Sequence, residues 1–177
     1  FMAIPVQIPF EEDVLPGLKS GDAVLLSGII YTARDAAHQR MAQWLAADKS
    51  LPFSLEGQCI YYAGPSPTPP GRIIGAIGPT TAGRMDAYTP LLLAHGLKGM
   101  IGKGRRNAAV RQACMEYQAV YFAALGGAAA LLSQTVKSAE LLAWPELGPE
   151  AIYRLEIVDF PAFVINDCLG NDLYGDR

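Results

Sequence analysis

Two hydroxyls, an arginine and an aspartate crowd into the segment Gly78-Pro79-Thr80-Thr81-Ala82-Gly83-Arg84-Met85-Asp86. It follows the apolar run Ile73-Ile74-Gly75-Ala76-Ile77, which reads as a buried strand ending at turn formers. Polar groups at a strand end can converge on an anion: backbone N–H groups and hydroxyls donate hydrogen bonds, and a guanidinium grips a carboxylate through two. On spacing alone, a turn capping a helix at Met85 explains the segment equally well.

Two further cations stand in similar places. Arg34, in Arg34-Asp35-Ala36-Ala37-His38, also follows an apolar strand and opens a helix. Lys103 lies between Gly102 and Gly104 after the run Gly99–Ile101. It lacks the glycine spacing and the following Ser or Thr of a phosphate-binding loop, which argues against a nucleotide. Ligands of open α/β sheets gather beyond the carboxyl ends of the strands. If these strands are neighbours, Arg34, Arg84 and Lys103 meet at one edge and suit a multiply charged carboxylate. Asp35 and Asp86 read as braces for the arginines or as helix caps, and His38 as a packed or capping histidine. Arg105, Arg106 and Arg111 read as a solvated helix start, because no aromatic residues interleave them.

The elements that must carry these residues alternate through the middle of the chain. A strand, or two around Gly28, is expected over 23–31, then a helix over 34–48 with Thr32 as its N-cap. Strands are expected over 58–63 and 72–77, a helix over 85–95 and a strand over 99–101. A helix over 106–117, a strand over 119–124 and a small-residue helix over 127–133 follow. The proline-rich stretch 64–71 reads as a loop inside the domain, and the last third as strands over 139–144, 152–158 and 162–165. This predicts one α/β domain over 21–177 with a parallel or mixed sheet, after an extended lead-in over 1–20.

The chain has 177 residues, 51% of them hydrophobic and 18% charged, with a net charge of −3. That suits a single folded domain and gives nucleic acid no electrostatic reason to bind. No basic-then-apolar leader opens the sequence, and the apolar run 119–132 is interrupted by Gly126-Gly127. The expectation is a soluble, cytoplasmic protein without membrane contact. The three cysteines, Cys59, Cys114 and Cys168, include no close pair and read as buried thiols rather than metal ligands.

Taken in order, these motifs resemble a known family. Gly21-Asp22, Leu26-Ser27-Gly28, Thr32 to His38, Tyr62-Ala63-Gly64-Pro65, Gly78 to Asp86 and Gly102-Lys103-Gly104 are similar to the β subunit, or C-terminal domain, of class I iron–sulfur fumarases and of L-tartrate dehydratase. The resemblance implies a swivelling, three-layer β/β/α domain. It implies reversible hydration of fumarate to malate, with a 4Fe–4S cluster as Lewis acid on the substrate hydroxyl and one carboxylate. The cluster cysteines of that family lie in the α part, so this chain is expected to hold no metal and to be inactive without an α subunit. A dimer or α2β2 heterotetramer fits. By resemblance, Arg34, Thr81, Arg84 and Lys103 bind the substrate carboxylates, and Thr80 takes the proton with Arg84 stabilising its alkoxide. Asp35, His38 and Asp86 support them. Two rivals stand beside this reading: a tartrate dehydratase β subunit, and a non-catalytic anion-binding or regulatory module.

Overall fold

The structure, a computed structural model, describes residues 2–124 and 128–175. In chain order the elements are β1 (Ile4–Ile8), β2 (Ala23–Thr32), α1 (Asp35–Ala46), β3 (Cys59–Tyr61), α2 (Thr89–Ala94), β4 (Gly99–Gly102), α3 (Ala108–Tyr117), β5 (Val120–Ala123), α4 (Ala129–Ser133), β6 (Val136–Ala143) and β7 (Ile152–Asn166). The strands form one seven-stranded mixed sheet in the order β1-β2-β3-β4-β5-β7-β6. β1 to β5 are mutually parallel, so their carboxyl ends lie on one edge. β7 runs antiparallel to β2, to β5 and to β6. Because β7 pairs with both β2 and β5, the strands β2-β3-β4-β5-β7 close into a hydrogen-bonded ring.

Strand alternation sends successive residues to opposite faces, and here both faces are buried, as parallel strands require. Along β3, Cys59 and Tyr61 join one core with Val120, Phe122 and Phe160. Ile60, with Tyr62 just beyond the strand, joins a second core with Ala37, Met41, Met85, Met100, Val110 and Tyr121. That second core is where α1, α2 and α3 seal the sheet. The segment read as a lead-in contributes β1, laid parallel against β2. β2 is one strand, with a register shift at Gly28, whose φ of 126° is open to glycine at little cost.

Three expectations about elements are corrected. Residues 72–77 form no strand. Of its isoleucines Ile74 and Ile77 are buried while Ile73 is 53% exposed, and Gly75 interrupts it between the flanking Gly71 and Gly78. It is irregular chain pinned by the Ser66 N–H to the Ala76 carbonyl and by the Tyr61 hydroxyl to the Ile77 carbonyl (2.6 Å). Thr32 does not cap α1. Arg34 is the N-cap residue, and the Thr32 hydroxyl accepts the Tyr153 N–H of β7 at 3.1 Å. The helix expected over 85–95 is divided into a single 3₁₀ turn, Ala82–Met85, and the short α2 that Pro90 helps to start. The expected break at Gly126-Gly127, and the first residue of the helix expected over 127–133, lie outside the described residues.

Candidate functional site

The carboxyl ends of β2, β3 and β4 deliver the chain to one place. After β3, the Tyr62 N–H bonds the Ile101 carbonyl of β4 at 2.8 Å, and the Tyr62 carbonyl accepts the Thr80 N–H at 2.6 Å. The Thr80 carbonyl accepts the Lys103 N–H (3.2 Å), and the Lys103 carbonyl accepts the Ala82 N–H (2.8 Å). Residues 80–82 are therefore clamped across the ends of two strands. Gly102 makes that approach possible, since a Cβ there would stand 2.8 Å from the Tyr62 ring and 3.1 Å from the Ala82 methyl. Both main-chain groups of Thr80 are tied down, which fixes where its hydroxyl originates.

Arg34 leaves β2 and opens α1. Its stem passes Gly64, where a Cβ would lie 3.2 Å from Arg34 Cδ and 2.6 Å from the Pro149 carbonyl. Arg34 Nε is buried without a hydrogen-bond partner. A buried donor left unpaired is costly, so this guanidinium is poised for an acceptor from outside. The N-terminus of α1 is held instead by Glu150, whose carboxylate accepts the Ala36 N–H at 3.0 Å.

Arg84, on the 3₁₀ turn, reaches back to α1. Its Nε and Nη2 both bond one oxygen of Asp35, Oδ2, at 2.9 and 2.6 Å. Asp35 thus joins the Arg34 and Arg84 segments. Lys103 is exposed, and its side chain makes no hydrogen bond or ion pair among the described residues. Thr81 is exposed beside it through an isolated bridge between the two backbones. The structure therefore brings the segments of Arg34, Thr80, Thr81, Arg84 and Lys103 to one edge, open to solvent on one side.

His38 lies beneath this edge, 1% exposed. Its Nδ1 stands 2.8 Å from the Arg34 carbonyl. A carbonyl only accepts, so Nδ1 carries the proton and Nε2, buried without a partner, is a lone pair. Burial holds the imidazole pKa down to about 4, against a smaller upward pull from the Arg34 carbonyl. His38 is neutral near pH 7 and fastens the turn that carries Arg34.

Asp86 departs from expectation. It braces Arg106 rather than Arg84, accepting Arg106 Nε at 2.7 Å on Oδ1 and the Asn107 N–H at 2.8 Å on Oδ2. Arg106, expected to be solvated, is 3% exposed. Its Nη2 donates to the Thr89 hydroxyl (2.7 Å) and the Tyr62 hydroxyl (3.1 Å), and its guanidinium lies 5.1 and 4.8 Å from the Tyr62 and Tyr121 ring centres. A paired arginine can be buried where a bare cation cannot. The one local signal was the juxtaposition of Arg106 with Asn107, the residue that caps α3 through the Val110 N–H.

A cavity of about 490 Å³ lies at the opposite edge, lined by residues preceding β3, β4 and β5, including Gly57, Lys98 and Gln118. Its walls carry Glu11, Glu12 and Glu56, and the Lys98 amine is already bonded to the Tyr117 carbonyl. That is a poor setting for a carboxylate ligand.

A sequence model of the family described as "Fumarase C-terminus" matches residues 3–177. The chain belongs to the fumarase C-terminal family. It is 46% identical over 151 residues to the protein named "Fumarate hydratase class I, anaerobic" of Escherichia coli K12, covering 84% of this chain and 28% of that protein. It is 42% identical over 156 residues to "Fumarate hydratase 2" of Leishmania major, covering 87% of this chain and 28% of the relative. It is 39% identical over 163 residues to "Putative L(+)-tartrate dehydratase subunit beta" of Methanocaldococcus jannaschii, covering 89% of this chain and 84% of that protein. The chain spans under a third of the length of these fumarate hydratases.

The residues of this fumarase C-terminal domain do not fit an iron–sulfur cluster. Cys59, Cys114 and Cys168 are all buried. Burial pushes the Cys59 thiol far up, Cys114 up to about 12 and Cys168 up to about 11, against the thiolate that a metal requires. Among the described residues no group of three or more His, Cys, Asp and Glu could hold a metal ion, and no helix is long and apolar enough to cross a membrane.

Proposed function

We propose that this chain is the β part of a cytoplasmic two-chain iron–sulfur hydro-lyase, catalysing the reversible hydration of fumarate to L-malate within an α2β2 assembly. The observation that carries the reading is the solvent-open edge where Arg34, Thr80, Thr81, Arg84 and Lys103 converge. Fumarate and malate carry two carboxylates, and guanidinium groups with an ammonium suit both. The names of the relatives support the reaction class, and the relative covered for 84% of its length is named as a β subunit. In this reading the 4Fe–4S cluster belongs to the α part, consistent with the poor fit of these cysteines, and the open side of the edge faces that part. A swivelling three-layer domain would suit closure of the edge on substrate.

The residues of this chain then divide the work. Arg34, with its unpaired Nε, and Lys103 hold one carboxylate. Arg84 exchanges its single-oxygen bond to Asp35 for a two-oxygen grip on the other. Thr80 takes the proton from the carbon beside that carboxylate, whose charge grows as the C–H bond breaks. The freed electron pair becomes the double bond as the neighbouring hydroxyl leaves as hydroxide, and the proton taken by Thr80 passes to it, giving water and restoring the base. A threonine hydroxyl is a weak base, and Arg84 close to it stabilises both the alkoxide and the developing charge.

The test is anaerobic reconstitution with a cluster-bearing α chain, assayed on fumarate, malate and tartrate. Turnover of fumarate, abolished in Thr80→Ala while dicarboxylate binding persists, is the expected result. Absence of turnover on all three would overturn the enzyme reading, and full activity of Thr80→Ala would overturn the role of Thr80.

A further inference from the structure

We propose that Arg106 is a positioning residue, which sets the Thr80–Asp86 segment against the Lys103 loop and so aligns the two halves of the anion site. The inference rests on the reading of that edge as a dicarboxylate site. The backbone clamp at residues 80–82 and the exposed Arg84–Asp35 pair hold the first part of the Thr80–Asp86 segment, and Arg106 holds its far end. The 3₁₀ turn Ala82–Met85 is a single turn with no side-chain cap, and it ends at Asp86. Between it and the Lys103 loop there are only the short backbone bonds of residues 80–82. Gly104, with φ 83°, turns that loop, which is also tied by the Tyr121 hydroxyl to the Gly104 carbonyl at 2.9 Å and by Arg105 to the Tyr174 and Gly175 carbonyls.

Arg106 is the node common to both. Its Nε fixes Asp86, two residues after Arg84, and the other oxygen of Asp86 takes the N–H of Asn107, so the pair closes both ways. Nη2 ties the same guanidinium to Thr89 on α2 and to Tyr62 at the end of β3, whose carbonyl holds Thr80. The rings of Tyr62 and Tyr121 flank the plane. A rigid planar fork fixes direction as well as distance, which a lysine point charge would not. Arg106 touches none of the groups assigned to substrate, so any effect on binding must pass through the backbone it holds.

The experiment compares Arg106→Lys and Arg106→Ala in the assembled two-part enzyme and in the chain itself. For Arg106→Lys, a displacement of the anion site on the order of 1 Å is expected to lower kcat/KM by roughly 10²-fold, mostly through KM, with cooperative unfolding retained. Arg106→Ala should lose more and recover part of it with free guanidinium at sub-denaturing concentration. Hydrogen exchange on the chain should show faster exchange at the Thr80, Ala82 and Lys103 amides, with the β2–β7 amides unchanged. A folded Arg106→Lys with unaltered kinetics and exchange would overturn the proposal. So would acceleration spread evenly through β2 and β7, with activity tracking the folded fraction. If neither variant folds, Asp86→Asn, which keeps the shape of the pair, is put through the same kinetics and exchange, and the same two results would overturn the proposal. Should the unaltered assembly lack hydro-lyase activity, the functional reading falls, while the exchange contrast still decides whether Arg106 aligns the two segments.

Discussion

The molecule contains two Arg–Asp pairs of the same chemistry in opposite settings. Arg84 and Asp35 meet at the surface, with side chains 52% and 37% exposed. Arg106 and Asp86 meet inside, with side chains 0% and 10% exposed. The exposed pair shares a single carboxylate oxygen and can be parted by a competing anion at small cost. In the buried pair both oxygens of Asp86 are engaged, and it cannot be parted without stranding a charge. One pair lies within reach of solvent ions and the other does not, and the chain carries them on two sides of a single turn.

The sharpest way to break this comparison is Asp86→Ala. Leaving Arg106 buried and unpaired should cost about 3–5 kcal/mol of unfolding free energy, read by urea denaturation. A loss no larger than that of a surface pair would erase the distinction. His38 lies close enough to feel Arg106 and Asp35 together, and it reads the interior by pH. Its pKa is about 4 when folded and 6.5 when free, so the unfolded chain binds more protons between those values. Stability should therefore fall by about 3 kcal/mol as pH drops from about 6.5 to about 4. His38→Phe should flatten that window in a denaturation series. Under the proposed hydro-lyase function, Arg84→Met should reduce kcat/KM of the reconstituted two-part enzyme by roughly 10²-fold, about 2.7 kcal/mol, through loss of the guanidinium assigned to the developing charge. Its thermal midpoint should barely move. Smallest of all, Asp35→Asn should alter unfolding free energy by less than about 1 kcal/mol.

Much of the fold was legible because the pattern is local. The helix over Asp35–Ala46 announces itself by Ala37, Met41 and Trp44 on one stripe, and the apolar runs at β3, β4 and β5 are short and bounded, as strands buried on both faces are. The candidate edge was legible for a related reason: Arg34 and Lys103 follow the strands β2 and β4, whereas Arg84 reaches the edge from a 3₁₀ turn after irregular chain. What stayed hidden depends on distant partners. Nothing near Arg106 in sequence says that Asp86, Tyr62, Thr89 and Tyr121 will enclose it, and without them a solvated helix start is the sound expectation. The run 72–77 has the composition of a strand, but its glycines and lack of a neighbour leave it unpaired. Thr32 has the chemistry of a cap, yet β7 claims its hydroxyl from more than 100 residues away.

The ring of strands also has a history in time. Within this domain β2 is made well before its antiparallel partner β7, and the Asp159 N–H that bonds Ser27 lies 132 residues further on. Loop closure over such a span slows folding. On the ribosome, the early strands must wait with one edge unpaired until almost the whole domain has emerged. The edge that gathers the cations is thus framed by a sheet that closes last, and a nascent chain stopped before β7 would display the arginines without the architecture that aims them.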